Sequence, residues 1–322
     1  MNQPRWISNK DLFSGFGYGR AIQAIAQTLT DGFDPSLDKP RTFVNFQQGQ
    51  GLVMPSEIGE FAGLKFVTVA PDNPALGQDR IQGIYSLFDA RTLSPLAQCD
   101  GAALTLLRTA SVTAAMLHKL KVATSPKVAV FGSGPQALAH ILATREISQP
   151  SEVSIFARNQ QSCAELIAGL AQQGIEACPG TPTKLAEADL IITATTARSP
   201  LFTLSEIKPD CVIAAVGSHE VAAREIGSDV VRVSQVFIEE QEASLREAGD
   251  IVLALLDQSI TEESLIEVRG LFFGAEGQEQ IEAKDSGVRF YKSTGMPWQD
   301  LAIFAEAFKI LRQEKNPSAS SW

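Results

Sequence analysis

The chain has 322 residues, of which 44% are hydrophobic and 20% are charged, a composition typical of globular proteins that excludes the disordered and fibrous classes. Its 27 basic and 37 acidic residues give a formal net charge of −10, the wrong sign for a general nucleic-acid or anionic-membrane binder. The length favours two domains. Because the chain as a whole is acidic, any anionic small-molecule ligand must be held by a local basic pocket.

Sequence features that would place the chain outside the cytoplasm are lacking. Residues 1–11 carry no apolar run like that of a signal peptide, and no run of about 18 apolar residues could span a membrane. The four cysteines, Cys99, Cys163, Cys178 and Cys211, form no CxxC pair and have no histidine at metal-ligand spacing. We therefore expect a cytoplasmic protein with free thiols, no bound metal, and neither nucleic-acid nor membrane partners.

The first third of the chain combines one helix with several strands. Apolar residues recur at helical spacing over residues 20–29, and later runs predict strands over 41–46, 51–54, 64–69 and 81–89. A long helix follows, with Asp100 as its N-cap and its end at about Leu120. Residues 122–126 are predicted to form a linker.

From Lys127 onward, short apolar runs alternate with helical stretches. The runs, at 128–131, 153–156, 190–193, 212–215 and 236–238, are typical of buried parallel strands, and the helices include 135–146 and 160–172. This order predicts a Rossmann-type, doubly wound α/β domain that ends near Gly287. A strand over 288–291 and an amphipathic helix over 298–311 follow it.

The first strand of this domain runs directly into a glycine-rich turn. The turn fits the G-x-G-x-x-A pattern at Gly132, Gly134 and Ala137. Glycines suit a sharp turn at which the backbone approaches a pyrophosphate on the N-terminus of the next helix. Pro135 fits the first helical turn, where its missing N–H costs nothing. A tight turn without a ligand is the alternative, but the surrounding β-α units favour a dinucleotide site.

The end of the second strand bears on the choice of dinucleotide. Ala157, Arg158 and Asn159 follow this strand, where an NAD-preferring domain carries Asp or Glu to bind the ribose hydroxyls. No acid is present, and Arg158 with Asn159 suits a 2′-phosphate. We therefore expect NADP(H) to be preferred, with NAD(H) as the alternative. The simpler interpretation of Arg158 is that it is a solvated surface residue.

Three cations of the first third occupy positions where the pattern is apolar. Lys65 lies within an apolar strand, Arg108 on the apolar side of the long helix, and Arg41 at the start of a strand. Each taken alone is well explained as a snorkelling or internally paired side chain. A small carboxylate substrate explains them together. Two guanidinium groups can grip the carboxylate, and a lysine with a depressed pKa can exchange a proton with a substrate nitrogen.

Several segments, spanning about residues 41–300, resemble the ornithine cyclodeaminase/mu-crystallin family. They lie at residues 63–67, 71–74, 81–83, 100–110, 132–137, 188–196 and 291–295. The segment 100–110 is specific to the family, whereas the dinucleotide loop is not. The resemblance implies an α+β substrate domain that forms a homodimer through its sheet, with a nucleotide domain inserted after the long helix. The last helix would return to the first domain, so the domains are 1–121 with 288–322, and 122–287.

The resemblance also implies roles for individual residues. The family's substrate-carboxylate and catalytic positions correspond to Arg41, Lys65 and Arg108, and its pyrophosphate loop to Gly132, Gly134, Pro135 and Gln136. The position that carries an acid in NAD-using members is Ala157 here. The positions that line the cofactor cleft are Thr196, Val216 and Thr294. Arg108 would also approach the cofactor. Ala157 in place of an acid agrees with the NADP(H) expectation.

One position departs from the pattern of true ornithine cyclodeaminases. They carry a carboxylate after the Val-Gly-x turn that follows the fifth strand of the nucleotide domain, whereas this chain has His219 there. A histidine can relay protons, but a neutral imidazole holds a second ammonium group less well than a carboxylate does. The alternatives are that Glu220 supplies the charge or that His219 is a neutral loop residue.

These observations favour an NAD(P)H-dependent reductase of small cyclic imino acids. The expected substrates are Δ1-pyrroline-2-carboxylate and Δ1-piperideine-2-carboxylate, and the products L-proline and L-pipecolate. Arg41 and Arg108 would clamp the carboxylate, and Lys65 would protonate the imine nitrogen. The alternatives are an ornithine cyclodeaminase, an alanine-dehydrogenase-like enzyme, and a non-catalytic NADPH-binding protein like mu-crystallin.

Overall fold

The computed structural model describes residues 3–273 and 280–315. The chain divides into two compact units: Met1–Ser111 with Gly295–Trp322, and Val112–Thr294. Residues 1–2 and 316–322, the ends of the predicted first domain, lie outside the described residues. None of the described helices combines the length and apolar character needed to cross a membrane.

The α-helices of the described residues begin and end as follows. They are α1 (Gly17–Thr30), α2 (Gly101–Lys119), α3 (Pro135–Arg145), α4 (Gln160–Ala171), α5 (Pro182–Ala186), α6 (Ser228–Val233), α7 (Gln241–Glu247), α8 (Gly249–Leu256) and α9 (Pro297–Lys315). A π-helical segment, Asp11–Phe16, precedes α1, and short 3₁₀ turns lie at Pro35–Leu37, Asn73–Leu76, Leu204–Glu206, Glu262–Ser264 and Val268–Leu271. Asp100 Oδ1 accepts from the backbone N–H of Ala102 at 2.8 Å and of Ala103 at 3.1 Å, which confirms the predicted N-cap of α2.

The first unit is built on a six-stranded sheet. Its strands are β1 (Arg5–Ile7), β2 (Thr42–Phe46), β3 (Gly49–Ile58), β4 (Phe61–Val69), β5 (Ile81–Asp89) and β6 (Pro95–Asp100), in the spatial order β1-β6-β5-β4-β3-β2. β2 to β6 form an antiparallel meander, and β1 pairs parallel to β6. Buried and half-buried positions alternate along β4, so Gly63, Lys65 and Val67 share its buried face.

The second unit is a doubly wound α/β fold of the Rossmann type on an eight-stranded parallel sheet. Its strands are β7 (Lys127–Phe131), β8 (Glu152–Phe156), β9 (Ala177–Pro179), β10 (Leu190–Thr193), β11 (Val212–Ala215), β12 (Gln235–Ile238), β13 (Leu265–Glu267) and β14 (Arg289–Lys292), in the order β13-β12-β14-β11-β10-β7-β8-β9. Every residue of β10, β11 and β14 is buried, as the continuous apolar runs of parallel strands require. Such folds bind ligands at the carboxyl ends of their strands.

The structure differs from the sequence-based picture in several strands. β1, β6, β9 and β13 were not predicted, because β1, β9 and β13 have only three residues each and β6 begins with a proline. β14 was assigned to the first domain, but it lies between β11 and β12 in the sheet of the second unit. Arg289 adds to this attachment by donating to the carbonyl of Leu120 at 2.8 Å. The units therefore divide near residues 111 and 294, rather than at the predicted 121 and 287.

Candidate active site

A buried lysine lies at the centre of β4 in the first unit. Lys65 is 1% exposed, and its Nζ donates to Oδ2 of Asp300 at 2.6 Å and to Oγ1 of Thr105 at 3.3 Å. Burial lowers the pKa of Lys65 to about 7; the negative charge of Asp300 opposes this shift, and the positive charges of Arg108 and Arg41 add to it. The lysine can therefore give up or accept a proton near neutral pH.

Arg108 is the second buried cation of this unit, and α2 presents it to the first turns of α9. Its Nη1 donates to Oε1 of Gln299 at 3.0 Å, and its Nε lies 3.8 Å from Oδ1 of Asp300. Gln299 and Asp300 are neighbours on α9 and are both fully buried. One turn of α9 therefore positions both Lys65 and Arg108.

Gly295, just before α9, brings the two arginines to one place. Its φ of +77° favours glycine, and a Cβ there would lie 2.2 Å from Nη1 of Arg108. Its carbonyl oxygen accepts a hydrogen bond from Nη2 of Arg41, a half-buried side chain that directly precedes β2. Both guanidinium groups are thus held beside the same glycine.

Two carboxylates accompany these cations. Asp300 is fully buried, and Asp38 accepts from the backbone N–H of Trp298 at 2.7 Å in the first turn of α9. Burial raises the pKa of Asp38 to about 6, and the nearby charge of Asp300 contributes to the increase. Three cations thus face one fully buried carboxylate and one partly buried one, so the cluster suits an anionic ligand.

Sequence reasoning found the cations of this cluster but not Asp300, Asp38 or Gln299. An acid in the first turn of a helix is usually explained by the helix dipole, and nothing local marks Asp300 as the partner of Lys65. The available signal was the apolar surroundings of Asp300, in the run Trp-Gln-Asp-Leu-Ala-Ile-Phe at 298–304. A charged residue inside such a run requires a buried partner.

The glycine-rich turn of the second unit follows β7. Gly132 has a φ of +118°, and a Cβ there would lie 2.6 Å from the carbonyl oxygen of Ala194. Gly134 is the N-cap of α3, and a Cβ there would meet no atom within 4 Å, so the chain itself does not require glycine at this position. This open space before Pro135 leaves the N-terminal amides of α3 accessible to a phosphate group. The turn therefore fits a dinucleotide pyrophosphate.

Gln136 lies in the first turn of α3. Its Oε1 is buried and has no hydrogen-bond partner within the described residues. An orphaned buried oxygen of this kind indicates a missing partner.

The residues after β8 are those expected to select the cofactor. Arg158 is exposed, and Asn159 caps α4, since its Oδ1 accepts from the backbone N–H of Ser162 at 3.0 Å. The position at the end of this strand is occupied by the half-buried Ala157 rather than by an acid. The exposed guanidinium of Arg158 is available to a phosphate, although an exposed arginine also agrees with a simple surface role.

The remaining predicted cofactor residues follow three neighbouring strands. Thr196 is exposed after β10, Val216 is half-buried after β11, and Thr294 is buried after β14. Because these strands are parallel, all three residues lie at the carboxyl edge of the sheet. Thr294 donates from both its backbone N–H and its Oγ1 to Oε2 of Glu239 at 3.1 Å, so a buried carboxylate holds it in place.

Other buried groups that sequence reasoning missed hold the loops at this edge. Glu225 accepts from the backbone N–H of Thr195 at 2.9 Å and of Gly217 at 2.8 Å. Lys292 donates to the carbonyl of Ser218 at 2.6 Å, and its Nζ lies 2.9 Å from Oδ2 of Asp250. The loop that carries His219 therefore leaves β11 with a defined course.

His219 and Glu220 are both exposed at the end of this loop. The Glu220 carboxylate lies 2.7 Å from Nη1 of Arg198, in an ion pair at the surface. Within the described residues, no group of three or more His, Cys, Asp or Glu side chains is arranged to hold a metal ion.

The profile of the ornithine cyclodeaminase/mu-crystallin family matches residues 20–312 of this sequence. The chain belongs to this family. The resemblance stated from its motifs is thereby confirmed. The family match runs through both units and includes Arg41, Lys65 and Arg108 as well as the glycine-rich turn.

Relatives within the family are named as reductases. The chain is 27% identical over 288 residues to Delta(1)-pyrroline-2-carboxylate reductase 2 of Burkholderia ambifaria, which covers 88% of this chain and 89% of the relative. It is 30% identical over 241 residues to ketimine reductase mu-crystallin of Mus musculus, covering 73% of this chain and 77% of the relative.

A solved structure has the same fold along nearly the whole chain. Delta(1)-pyrroline-2-carboxylate reductase of Thermococcus litoralis, in complex with NADH and L-proline, superposes with a TM-score of 0.86 at 23% identity. The match covers 97% of this chain and 98% of that one. At this identity the likeness is one of fold.

Proposed function

We propose that this member of the ornithine cyclodeaminase/mu-crystallin family is an NAD(P)H-dependent reductase of small cyclic imino acids, with Δ1-pyrroline-2-carboxylate and Δ1-piperideine-2-carboxylate as substrates. The observation that carries the proposal is a fully buried lysine with a pKa of about 7, placed among two arginines. A carboxylate beside a basic nitrogen is the ligand that such a group of cations recognises. The names of the relatives in Burkholderia ambifaria and Mus musculus support the same chemistry.

In the proposed mechanism the first unit binds and protonates the substrate. Arg41 and Arg108, held beside Gly295, bind the carboxylate through charge-assisted hydrogen bonds. Lys65 donates its proton to the imine nitrogen, so the nitrogen becomes an amine as the adjacent carbon is reduced. Because Lys65 loses its charge in this step, the positive charges of the two arginines are then balanced by the negative charges of the substrate carboxylate and Asp300.

The second unit is proposed to hold the dinucleotide. Gly132, Gly134, Pro135 and Gln136 would bind the pyrophosphate, and Thr196, Val216 and Thr294 would line the cofactor cleft. When bound, NADPH supplies the hydride for the imine carbon. Arg158 and Asn159, with Ala157 in place of an acid, support a preference for NADP(H) over NAD(H).

His219 is proposed to exchange protons with solvent during catalysis, for which its exposure is suited. The ornithine cyclodeaminase reaction is less well supported, since it needs a carboxylate here and the Glu220 carboxylate lies in an ion pair with Arg198. We therefore expect ornithine to be a poor substrate.

A homodimer through the first unit is part of this proposal. All five residues of the edge strand β2 are exposed, among them Phe43 at 50% and Phe46 at 52%. Apolar side chains on an edge strand favour association unless they are covered. Light scattering is expected to give the mass of a dimer, and a Phe43→Lys, Phe46→Lys variant that of a monomer.

A cytoplasmic setting is proposed because all four cysteines are free thiols.

A substrate panel tests the proposed activity. Loss of reduced nicotinamide is followed with NADPH and with NADH on both cyclic imino acids and on pyruvate with ammonia. Ammonia release is followed with L-ornithine in the presence of NAD+. We expect the highest kcat/KM with a cyclic imino acid and NADPH. Faster turnover of ornithine, or of pyruvate with ammonia, would replace the proposal with a cyclodeaminase or an alanine dehydrogenase. NADPH binding without turnover of any substrate would indicate a non-catalytic binding protein.

A further inference from the structure

We propose that Asp300 is a positioning residue for imine reduction: it aims the Lys65 amine at the substrate nitrogen and keeps that amine charged among two arginines. This role rests on the proposed function. Asp300 lies on α9, 235 positions from Lys65 along the chain, so its partner does not follow from the sequence pattern. The inference comes from three contacts of the first unit.

The first contact fixes the direction of the amine. An ammonium group has three N–H donors. Within the described residues, Lys65 donates to Asp300 at 2.6 Å and to Thr105 at 3.3 Å. Thr105 itself donates to the carbonyl of Gly101 at 2.7 Å, so its oxygen is turned to accept from the lysine. Two donors are thus engaged by the protein, and the third remains for a substrate nitrogen.

The second contact shares the carboxylate between two cations. Oδ1 of Asp300 lies 3.8 Å from Nε of Arg108, and neither atom has a hydrogen-bond partner within the described residues. The carboxylate is therefore close enough to Arg108 for electrostatic attraction while it bonds to Lys65. Without its charge, the lysine would face Arg108 and Arg41 with no buried counter-ion, and burial would favour the neutral amine.

The third contact fixes the start of α9, the helix that carries Asp300. Asp38 accepts from the backbone N–H of Trp298 at 2.7 Å, two residues before Asp300, and so caps α9 from outside the helix. Since Gln299 binds Arg108 in the same turn, a shift of this turn would move the partners of both cations.

The charged and titratable groups that face Lys65 come from several elements. α9 brings Asp300, α2 brings Arg108, and the segment before β2 brings Arg41. Tyr85 lies opposite Lys65 on β5, and Cys99 lies opposite Tyr85 on β6. Burial raises the pKa of the Tyr85 hydroxyl and of the Cys99 thiol well above their ordinary values, so both groups stay neutral. Asp38 is the other carboxyl group nearby, and the charge of Asp300 adds to the increase in the pKa of Asp38 that burial causes. Asp300 is therefore the anion on which the charge of Lys65 depends.

The direct test is an NMR titration of the Lys65 amine, which requires neither cofactor nor substrate. Lysine labelled at Cε and Nζ is incorporated into wild type, and the Lys65 signal is assigned by its loss in Lys65→Met. In Asp300→Asn the proton affinity of Lys65 is expected to fall about tenfold or more. Asp300→Glu keeps the charge and is expected to stay near wild type. An unchanged Lys65 titration in Asp300→Asn would overturn the proposal.

The matched control is Asp250→Asn, which changes the equally buried partner of Lys292 in the second unit. It is expected to lower thermal stability without moving the Lys65 titration. Should Asp300→Asn fail to fold, Asp300→Glu still decides. Its longer side chain is expected to misdirect the Lys65 amine and lower kcat, while the fall of kcat/KM as pH rises through about 7 stays in place because the charge is kept. An unchanged kcat in Asp300→Glu would overturn the positioning role. If kcat/KM falls at the same pH in wild type and in a folded Asp300→Asn, the role of Asp300 is overturned. If wild type is inactive but the Lys65 titration shifts as expected, only the proposed reaction is overturned.

Discussion

Each unit of this protein buries a lysine against an aspartate, and the two pairs differ in what surrounds them. Lys65 and Asp300 of the first unit are 2.6 Å apart, and Lys292 and Asp250 of the second are 2.9 Å apart. All four side chains are essentially inaccessible to solvent. Burial and pairing alone therefore do not tell the two sites apart.

The neighbours of each pair do distinguish them. Oδ1 of Asp250 accepts from the backbone N–H groups of Glu225 and Ile226 at 2.7 and 2.8 Å, and Lys292 donates to the backbone carbonyl of Ser218. These partners belong to loops, so the pair ties the chain together. Lys65 instead faces the like charges of Arg108 and Arg41 in addition to its partner Asp300, an arrangement that suits a ligand of opposite charge. A buried pair with backbone partners is structural, whereas one with surplus like charge is suited to bind and react.

The largest expected effect is on activity, from Lys65→Met. With its proton donor gone, imine reduction is expected to fall by about 10²- to 10⁴-fold in kcat/KM, the usual contribution of a general acid. NADPH binding, measured by fluorescence titration, should be unchanged. Turnover within a few-fold of wild type would remove Lys65 from the mechanism.

Lys292→Met should affect stability instead. Breaking a buried pair leaves an uncompensated charge on Asp250, so the free energy of unfolding in urea is expected to drop by about 3–5 kcal/mol. Lys65→Met should cost less, since it also removes the repulsion between Lys65 and the two arginines. Equal losses for the two variants would mean that the two pairs are energetically alike.

Gly295→Ala is expected to disturb the substrate site without removing a charge. The new Cβ would overlap Nη1 of Arg108, so the arginine must move and KM should rise about tenfold or more. Gly59→Ala is the matched control, because Gly59 has a φ of +56° but open space around its Cα. A similar KM in both variants would show that the backbone, rather than Arg108, matters at Gly295.

The most gradual effect is a pH dependence of stability, which is spread over several pH units. The pKa of Lys65 is about 7 in the folded chain, below its ordinary value of 10.5, so between these values the unfolded chain binds more protons. The free energy of unfolding of wild type relative to Lys65→Met should therefore rise with pH across this window, by at most about 1.4 kcal/mol per unit. A flat difference would mean that Lys65 keeps an ordinary pKa.

Local signals in the sequence explain what could be predicted. The alternation of apolar runs and helices predicted most of the second unit, because its longer strands and helices are visible in short windows, whereas the three-residue strands β9 and β13 are not. Gly132 and Gly134 were recognised from their spacing, and Lys65 and Arg108 from their apolar surroundings. Each of these features depends on neighbours along the chain.

The parts that were missed depend on residues that meet only in three dimensions. Asp300 is 235 positions from Lys65, so the sequence shows that the lysine needs a counter-ion but not which one. Glu239, which binds Thr294, and Glu225, which holds the loop before His219, are buried acids of the same kind. β14 has the pattern of a strand, but only its pairing with β11 and β12 shows which sheet it joins.

The most direct test of the central claim is to follow a hydrogen label into the product. Δ1-pyrroline-2-carboxylate is reduced with NADPH that carries deuterium at the transferring carbon, and the L-proline formed is analysed by mass spectrometry and NMR. Imine reduction predicts one deuterium at the carbon that bears the carboxylate, with about 10²- to 10⁴-fold less product from Lys65→Met. Absence of L-proline with wild type, or L-proline without the label, would contradict it.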